Sequence, residues 1–437
     1  MKNLRFLFVV CLGFIALSSC SYEDSETPPM PNSELQYLNV GVAIPETGLS
    51  SRAVDENMVN SIHIFMFDQS DGKCASAEHY DKTEITGPTP EAKGPIWSCE
   101  PVGTTKGDKY LVAGVNLSTS MIEKMKNLIC KPDELVMFQH SIEELTAGSG
   151  GMVMFSSTAE PLKEDFFYDT PEEAKAGKKQ TIVVDRSVAK MAVFKADDMK
   201  IEGGGEYKNL LFGWGNVNNE IAYIPRITVD GSVEYPDYDW ASLSKYNPTP
   251  SIPFYTQGVT PDVFAYAQEN LLPYTGTEVE DKLTYLRITG GYIPEKFSYL
   301  DGDAIAQTAN ASQTAATFYT LETTSSLVYY FETREEAAEV LSAAGTGRVP
   351  AMKTDVGDGG IRTYTGGTSN FNVLINRAAE GTEKHNIVRN TYYRITVNSI
   401  KAPGLPGEGT RGDGEQWVAF SIKVLDWIDV REGVDVE

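Results

Sequence analysis

Histidine, cysteine and carboxylate residues, the usual carriers of catalytic and metal chemistry, form no recognisable constellation in this sequence. The four histidines (His63, His79, His140 and His385) are far apart along the chain, and no HExxH pair occurs. His63 lies in an alternating strand pattern, which favours a structural histidine over a metal ligand. A G-x-S-x-G nucleophile elbow is absent as well. We therefore predict no catalytic residue, no metal site, no cofactor and no enzymatic activity.

Two further stretches match known motifs in letters but not in context. Residues 407–412 satisfy G-x-G-x-x-G. A dinucleotide site needs a helix after this motif, whereas residues 417–424 are predicted to form a strand. Asp301-Gly302-Asp303 and residues 355–358 carry carboxylates, but neither completes a calcium-binding loop, so solvated turns are the favoured interpretation.

Arg411, Gly412 and Asp413 form an Arg-Gly-Asp tripeptide on a Gly-rich loop between two predicted strands. Integrin-type recognition needs this presentation, because the Arg and Asp side chains must project from a tight exposed turn. A charged hairpin loop in which Gly412 supplies unusual dihedral angles is the simpler interpretation. The tripeptide is kept as a candidate adhesion loop.

The N-terminus predicts export as a lipoprotein. Lys2 and Arg5 precede an apolar stretch, residues 6–17, that is too short to span a bilayer. The four residues that end at Cys20, LSSC, resemble a lipobox, in which the cysteine is diacylated before cleavage and becomes the first residue. The alternative is an ordinary signal peptide that contains Cys20. No later stretch is long and apolar enough to cross a membrane.

Composition narrows the class of protein further. The chain of 437 residues is long enough for two or three domains, and its net charge of −24 argues against nucleic acid and anionic lipid as partners. Three cysteines, Cys74, Cys99 and Cys130, remain after the predicted processing. At most one internal disulfide can form among them, and its pairing stays open.

Short apolar runs between Gly, Pro, Asn and Asp clusters predict an all-β sandwich protein with short helical inserts. Residues 38–44 show the period-2 pattern of a half-buried strand. Residues 163–180 are predicted to be a charged loop, with a domain boundary near 176–182. Further strands are predicted at 62–67, 110–115, 181–184, 189–194, 284–289, 327–331, 371–376, 391–400 and 417–425, and helices at 119–130, 141–146 and 332–344.

Segments near both ends of the exported chain have the pattern of strands that lack a partner. Ile428, Val430, Val434 and Val436 share one face of an extended C-terminal tail, so the tail needs either a groove elsewhere or a place in its own domain. Near the other end, a Gly/Ser-rich loop contains Arg52, and cleavage before Ala53 would detach the strand at 38–44.

An opened edge in one copy and a spare strand in another predict donor-strand complementation, which generates filaments because the head-to-tail contact does not close.

Motifs along the whole chain resemble those of FimA/Mfa-type fimbrillins, the subunits of type V pili. The Cys20 lipobox and the Arg52–Ala53 site match this family in order and spacing. Residues 185–190 (DRSVAK) resemble the family's R-x-x-A-K segment, and residues 212–218 (FGWGNVN) resemble its Trp/Asn segment. Residues 266–270 (YAQEN) resemble its "EN" segment, and residues 388–397 (VRNTYYRITV) resemble its V-R-N-x-x-Y-x-I-x-V motif.

The resemblance implies two transthyretin-like β-sandwich domains, at 53–178 and 179–427. They follow a signal peptide (1–20) and a tether with a removable strand (21–52), and precede a donor strand (428–437). It also implies cleavage by an Arg-specific protease and polymerisation with other copies or related pilins. A role in adhesion, and a host ligand for it, stay open. The expected location is the outer-membrane surface, through the lipid, and then the fimbria. The shaft, tip and anchor roles stay open; Arg52 and the tail favour a shaft or accessory subunit, since an anchor would keep its lipidated N-terminus.

The competing function is a surface glycan-binding lipoprotein that does not polymerise. Tyr235, Tyr238 and Trp240 are the aromatic residues expected to stack on sugars if they are exposed. Polymerisation after Arg-specific proteolysis separates the two functions, because a glycan-binding protein needs no such cut.

Overall fold

The computed structural model describes residues 35–44, 56–90, 95–131, 136–147, 150–156, 158–224, 226–229, 232–234, 239–312, 314–375, 381–401, 403–407 and 418–426. The strands of the first part are β1 (Leu35–Leu38), β2 (Val40–Ala43), β3 (Ser61–Asp68), β4 (Cys74–Asp81), β5 (Thr86–Thr89), β6 (Ile96–Ser98), β7 (Val102–Thr105), β8 (Lys109–Val115), β9 (Met137–Gln139), β10 (Met154–Ser156), β11 (Thr158–Leu162) and β12 (Gln180–Arg186).

The strands that follow are β13 (Ala189–Glu202), β14 (Glu206–Gly215), β15 (Val217–Asn218), β16 (Glu220–Ala222), β17 (Arg226–Val229), β18 (Ser232–Glu234), β19 (Lys245–Tyr246), β20 (Ile252–Pro253), β21 (Tyr255–Thr256), β22 (Ala265–Ala267), β23 (Tyr285–Ile293), β24 (Lys296–Asp301), β25 (Ala304–Ala309), β26 (Phe318–Glu322), β27 (Val328–Phe331), β28 (Arg362–Tyr364), β29 (Thr368–Leu374), β30 (Thr391–Lys401) and β31 (Val418–Asp426). The predicted all-β class is confirmed.

Within the described ranges, four short α-helices interrupt the strands: α1 (Thr119–Lys126), α2 (Ile142–Ala147), α3 (Pro171–Ala176) and α4 (Arg334–Gly345). Helix α4 begins with a capping box, in which the side chains of Thr333 and Glu336 bond to each other's backbone amides. The three helices that the sequence predicted are present. The loop prediction for 163–180 is wrong in part, because Pro171 after the capping residue Thr170 starts helix α3.

Strands β2 to β12 build the first hydrophobic core. The main sheet has the order β18-β17-β11-β8-β10-β12-β2-β6-β5, with β3 joined to β8 and β4 joined to β3. Ile64 in β3, Val112 in β8, Val42 in β2 and Val184 in β12 are all fully buried in one cluster. The sheet therefore wraps around a shared core, and β2 lies in its interior.

A second core lies between two separate sheets. One has the order β21-β13-β30-β31, with β22 also paired to β13, and the other has the order β20-β14-β23-β29. Met191 and Ile395 of the first sheet and Trp214 and Ile288 of the second belong to the same buried cluster. Trp214 donates its indole N–H to the Ala265 carbonyl at 3.0 Å, so its one polar group is satisfied. This packing is that of a β-sandwich.

The two cores meet just after β12. Val188, which follows β12, packs in the first core, and the next residue, Ala189, packs in the second core. Strand β12 pairs with β2 and β10 of the first sheet. The domain bounds predicted from the sequence, including the boundary at 178/179, stay a prediction.

His63 is buried in β3 and stands opposite His79 of β4. Its Nδ1 lies 3.2 Å from His79 Nδ1, and its Nε2 lies 3.2 Å from Ser61 Oγ. Burial first, then the His79 ring and the Lys126 ammonium, lower the pKa of His63 to about 3. This histidine therefore stays neutral in the folded protein.

The burial of His63 makes folding stability depend on pH. The unfolded chain binds a proton here below about pH 6.5 and the folded chain does not, so stability is full above that pH and falls as the pH drops towards 3. We expect the free energy of unfolding to be about 2 kcal/mol lower at pH 5 than at pH 7.5 because of this residue. His63→Phe, which cannot titrate, should reduce the pH dependence of urea unfolding by that amount. An unchanged pH dependence in this variant would contradict the assignment.

Candidate functional site

The candidate site is the N-terminal strand pair, β1 and β2, together with the groove that holds it. Leu38, Val40, Val42 and Ile44 point into the first core and are at most 2% exposed. Gly41 and Ala43, on the opposite face of β2, are buried as well. The predicted half-buried strand is thus wrong in one respect: β2 is covered on both faces. An apolar strand this deeply buried contributes about 1.5–3 kcal/mol for each large aliphatic side chain.

Both edges of β2 are hydrogen-bonded. On one side β2 runs parallel to β12, with Val40 beside Gln180 and Ala43 beside Val183. On the other side it runs antiparallel to β6, with Ala43 opposite Ile96. If β2 left, two rows of backbone donors and acceptors would be uncovered, on β12 and on β6. Such an opened slot is a template for another strand.

Strand β1 is held by β7 and by a backbone bridge. Leu35 to Leu38 pair antiparallel with Thr105 to Val102. Tyr37 and Tyr168 exchange backbone hydrogen bonds of 2.8 and 2.9 Å. These contacts extend the groove beyond β2 towards the 3-10 turn at Glu164–Phe166, where Gln36 Nε2 donates to Glu164 Oε1 at 3.3 Å.

Gly41 lies where two neighbours leave no room for a side chain. A Cβ atom at this position would lie 2.8 Å from Ile96 Cγ2 and 2.9 Å from Lys179 Cδ. We expect Gly41→Ala to cost about 1–3 kcal/mol of unfolding free energy, because Ile96 is buried and has to shift. Urea denaturation of the uncut chain measures this.

Gly103→Ala is the matched control for Gly41→Ala. Gly103 stands opposite Tyr37 in β7, and a Cβ there would meet Tyr37 Cε1 at 3.5 Å, an ordinary contact. We expect a change of at most about 0.5 kcal/mol for this variant. Equal losses of unfolding free energy in the two variants would show that β2 is not packed as tightly against Ile96 and Lys179 as the contacts of Gly41 indicate.

Several of the residues that carry the family resemblance lie together at the junction of the two cores. Arg186 is fully buried and donates from Nη1 to Asn390 Oδ1 at 3.0 Å and from Nη2 to Asn57 Oδ1. Lys190, 3% exposed, places Nζ 2.7 Å from Glu56 Oε2. Burial lowers the pKa of Lys190, and the Glu56 carboxylate opposes that shift. Two motif cations thus meet the chain segment that begins at Glu56.

The V-R-N motif supplies the other half of the junction. Arg389 donates from Nε to Glu269 Oε2 at 3.0 Å and from Nη2 to the Ala222 carbonyl at 2.8 Å. Asn390, in a left-handed backbone conformation (φ 54°), donates from Nδ2 to Asp185 Oδ1 at 2.9 Å. Breaking a buried ion pair of this kind typically costs about 3–5 kcal/mol, because the remaining charge has no partner.

The sequence motifs contain these residues but predict no structural role for them, and none of the motifs includes Glu56. No local pattern marks Glu56 as buried, since its partners Lys190 and Tyr266 lie far along the chain. The clue was the presence of Arg and Lys at otherwise strand-like positions of residues 185–190. Charged side chains inside a strand run need a buried counter-charge.

The predicted processing, donor and adhesion residues lie outside the described residues. These are Cys20, Arg52, Ala53, Arg411, Gly412, Asp413, Ile428, Val430, Val434 and Val436. The described residues come close to two of these segments. Ile44 precedes the Arg52 segment, and β31, paired to β30, ends at Asp426 shortly before the tail.

Of the aromatic residues proposed for sugar stacking, only Trp240 lies within the described residues. Trp240 is only 7% exposed and packs against Leu243, Leu272 and Leu283 in a small core. The expectation that Trp240 is exposed is therefore wrong, because the 3-10 turn Trp240–Ser242 turns it inwards. Tyr235 and Tyr238 lie outside the described residues.

Cys74, Cys99 and Cys130 are free thiols in this structure. Burial raises the pKa of Cys74 to about 11 and that of Cys99 and of Cys130 to about 12. Each thiol therefore stays protonated at neutral pH and is a poor nucleophile.

Across the described ranges, no cluster of three or more His, Cys, Asp or Glu side chains is arranged to hold a metal ion. In the same part of the chain, none of the helices has the length and apolar character needed to span a bilayer.

Residues 362–432 match the family model described as major fimbrial subunit protein type IV, fimbrillin, C-terminal. This region contains the V-R-N motif, β30 and β31, and the match confirms the resemblance to fimbrillins that the motifs indicated. No curated protein sequence matches the chain.

Three solved structures illustrate the similarity. The tip fimbrial protein Mfa3 from Porphyromonas gingivalis has 12% identity and a TM-score of 0.39, covering 90% of this chain and 100% of that one. The fimbrilin FimA of P. gingivalis W83 has 13% identity and a TM-score of 0.43, covering 91% and 99%. A cell adhesion protein of Parabacteroides distasonis ATCC 8503 has 13% identity and a TM-score of 0.46, covering 90% and 99%.

Proposed function

We propose that this chain is a structural subunit of a bacterial surface fimbria that polymerises by donor-strand exchange. The observation that carries the proposal is the position of β2, an apolar strand buried between β12 and β6 whose departure would open an edge on each side. The fimbrillin match in the second part of the chain supports the same function. A structural subunit of this kind needs no catalytic residues.

The proposed sequence of events begins at the outer membrane. The chain is exported as a lipoprotein through Cys20 and held at the cell surface by its acyl chains. An Arg-specific protease then cuts between Arg52 and Ala53. Before the cut, β2 is tethered to its groove at high effective concentration and rebinds faster than any other strand can enter. After the cut, the lipidated fragment can leave, and the subunit loses its anchor at the same time.

The C-terminal tail of another copy, or of a related pilin, then occupies the groove. Leu38, Val40, Val42 and Ile44 leave apolar positions at every second residue, and Ile428, Val430, Val434 and Val436 carry aliphatic side chains at the same period. Each set is worth about 6–12 kcal/mol of gross burial. The exchange is therefore close to balanced in apolar burial, and the cut gives it its direction. Shaft or accessory placement in the fimbria follows from loss of the anchor.

N-terminal sequencing and mass spectrometry of the protein sheared from cells test the proposal. We expect the polymerised protein to begin at Ala53 and to carry no lipid, while the cell-bound precursor begins at an acylated Cys20. Polymers whose subunits retain residues 21–52 would overturn the maturation step and with it the exchange.

A further inference from the structure

The chain is fixed to the rest of the protein again only a few residues after the proposed cut. Glu56 is 4% exposed, and both oxygens of its carboxylate are bonded. Oε2 lies 2.7 Å from Lys190 Nζ, and Oε1 accepts from the Tyr266 hydroxyl at 2.9 Å. Its backbone carbonyl also accepts from Arg186 Nε at 3.4 Å. Lys190 belongs to β13, a strand of the second core, so Glu56 ties the segment to the sheet that contains β13.

The next residues continue these attachments up to β3. Asn57 accepts from Arg186, as described above, and the Met58 carbonyl accepts from Asn116 Nδ2 at 2.7 Å. The Asn60 amide donates to Asn116 Oδ1 at 2.9 Å. Val59 is 3% exposed and packs in the first core. We call residues 56–60 the clamp segment.

The clamp segment lies between the proposed cut and β3, where fraying of the new chain end would start. A cut after Arg52 creates a chain end, and chain ends fray unless they are tied down. Fraying that reached β3 would disturb β8, its neighbour in the main sheet. Arg186, at the end of β12, would lose its contact with Asn57 too. Because β12 forms one wall of the opened groove, this loss would disturb the groove itself.

We propose that Glu56 is a positioning residue that stops fraying at the new N-terminus, so that β2 can leave while β3 and β12 keep their places. The proposal rests on the proposed function for its biological meaning, since it assumes a cut at Arg52. Its physical content is that β3 depends on Glu56 more strongly in the cut chain than in the intact chain, which is covalently held on both sides.

Hydrogen–deuterium exchange before and after an engineered cut tests the proposal. In the chain from residue 21 onwards, residues 46–52 are replaced by the recognition sequence of a site-specific viral protease, so that cutting does not depend on Arg52. With Glu56 present, we expect cutting to change the exchange rates of the β3 amides by less than about threefold. In Glu56→Gln, which keeps the size but not the charge, loss of the buried pair with Lys190 should raise exchange in the uncut chain as well. We expect the cut to add a further increase of about tenfold or more.

Glu322→Gln is the matched control. Glu322, the last residue of β26, is 6% exposed and pairs with the cations Lys353 and Arg362, away from the clamp segment. Its substitution should leave the β3 amides unchanged in both cut and uncut chains. If Glu56→Gln does not fold, Asn57→Ala replaces it under the same criterion, because it removes the side-chain amide whose oxygen accepts from Arg186.

Two outcomes overturn the proposal: an equal effect of Glu56→Gln before and after the cut, which marks a general stability role, or no effect in either. Failure of cells to cleave at Arg52 would refute the proposed function and leave this result standing, because the engineered cut replaces the cellular protease.

Discussion

Arg52→Ala is expected to produce a folded, lipidated monomer that forms no fimbriae. Without the cut, β2 stays covalently attached and occupies the groove, so no second strand can compete for it. The effect should be close to all-or-none, since polymer growth needs every subunit to be cut. Electron microscopy of cell surfaces and immunoblotting of sheared fractions measure the polymer. Ladders of polymer in the variant at the level of the parent protein would refute Arg52 as the maturation site.

Two controls separate loss of the cut from loss of the fold. Ser51→Ala changes the adjacent residue and should leave both cleavage and assembly intact. A recognition sequence for a site-specific protease, placed at residues 46–52 of the uncut protein, should restore polymerisation in vitro when that protease is added. Failure of this rescue, with the N-terminal fragment shown to have left, would mean that opening the groove is not sufficient for assembly.

Several of the longer strands could be predicted because their signal is local. Strands β3, β8, β23 and β30 are runs of alternating or continuous apolar residues bounded by turn residues, and the structure confirms each of them. Helix α4 was predictable from its Glu- and Ala-rich composition.

The complete burial of β2 could not be predicted, because it depends on partners that lie far away in the sequence. Alternation reveals one apolar face, whereas the second face of β2 presents Gly41 and Ala43, which are small residues that suit either solvent or a close neighbour. Its neighbours β12 and β6 decide the matter, and neither pairing follows from local pattern. The absence of charged residues throughout 38–44 was the available clue.

The motif residues show the same limit from the opposite side. Their order along the chain pointed to a family, but not to a purpose. Arg186, Lys190 and Arg389 become interpretable only when β12, β13 and the turn before β30 are brought together. Each then faces a carboxylate or amide from a distant segment. These motifs therefore indicate a junction between two cores rather than a binding site for a small molecule.

Val434→Asp is expected to abolish polymerisation while leaving the monomer folded. The groove positions that the proposed donor strand would occupy are those of side chains such as Val40 and Val42, which are fully buried. An aspartate there would be a buried charge without a partner, and such groups cost several kcal/mol or protonate instead. Asp435→Ala changes the neighbouring residue on the opposite face and should alter assembly by less than about threefold. Polymer yield after cleavage, measured by sedimentation, compares the two variants.

Truncation before Ile428 distinguishes a donor strand from an ordinary last strand. A tail that serves the neighbouring subunit contributes nothing to its own monomer, so the truncated chain should melt within about 2 °C of the parent chain and yet form no polymer after the cut. A tail that completes its own domain buries its aliphatic side chains within the monomer, and its loss would then lower the melting temperature by about 10 °C or more. Cooperative melting of the uncut chain separates the two cases, because β2 still fills the groove and the monomer owes no stability to a neighbour. A large drop in melting temperature would assign residues 428–437 to the second sandwich beside β31 and would end the case for exchange through this segment.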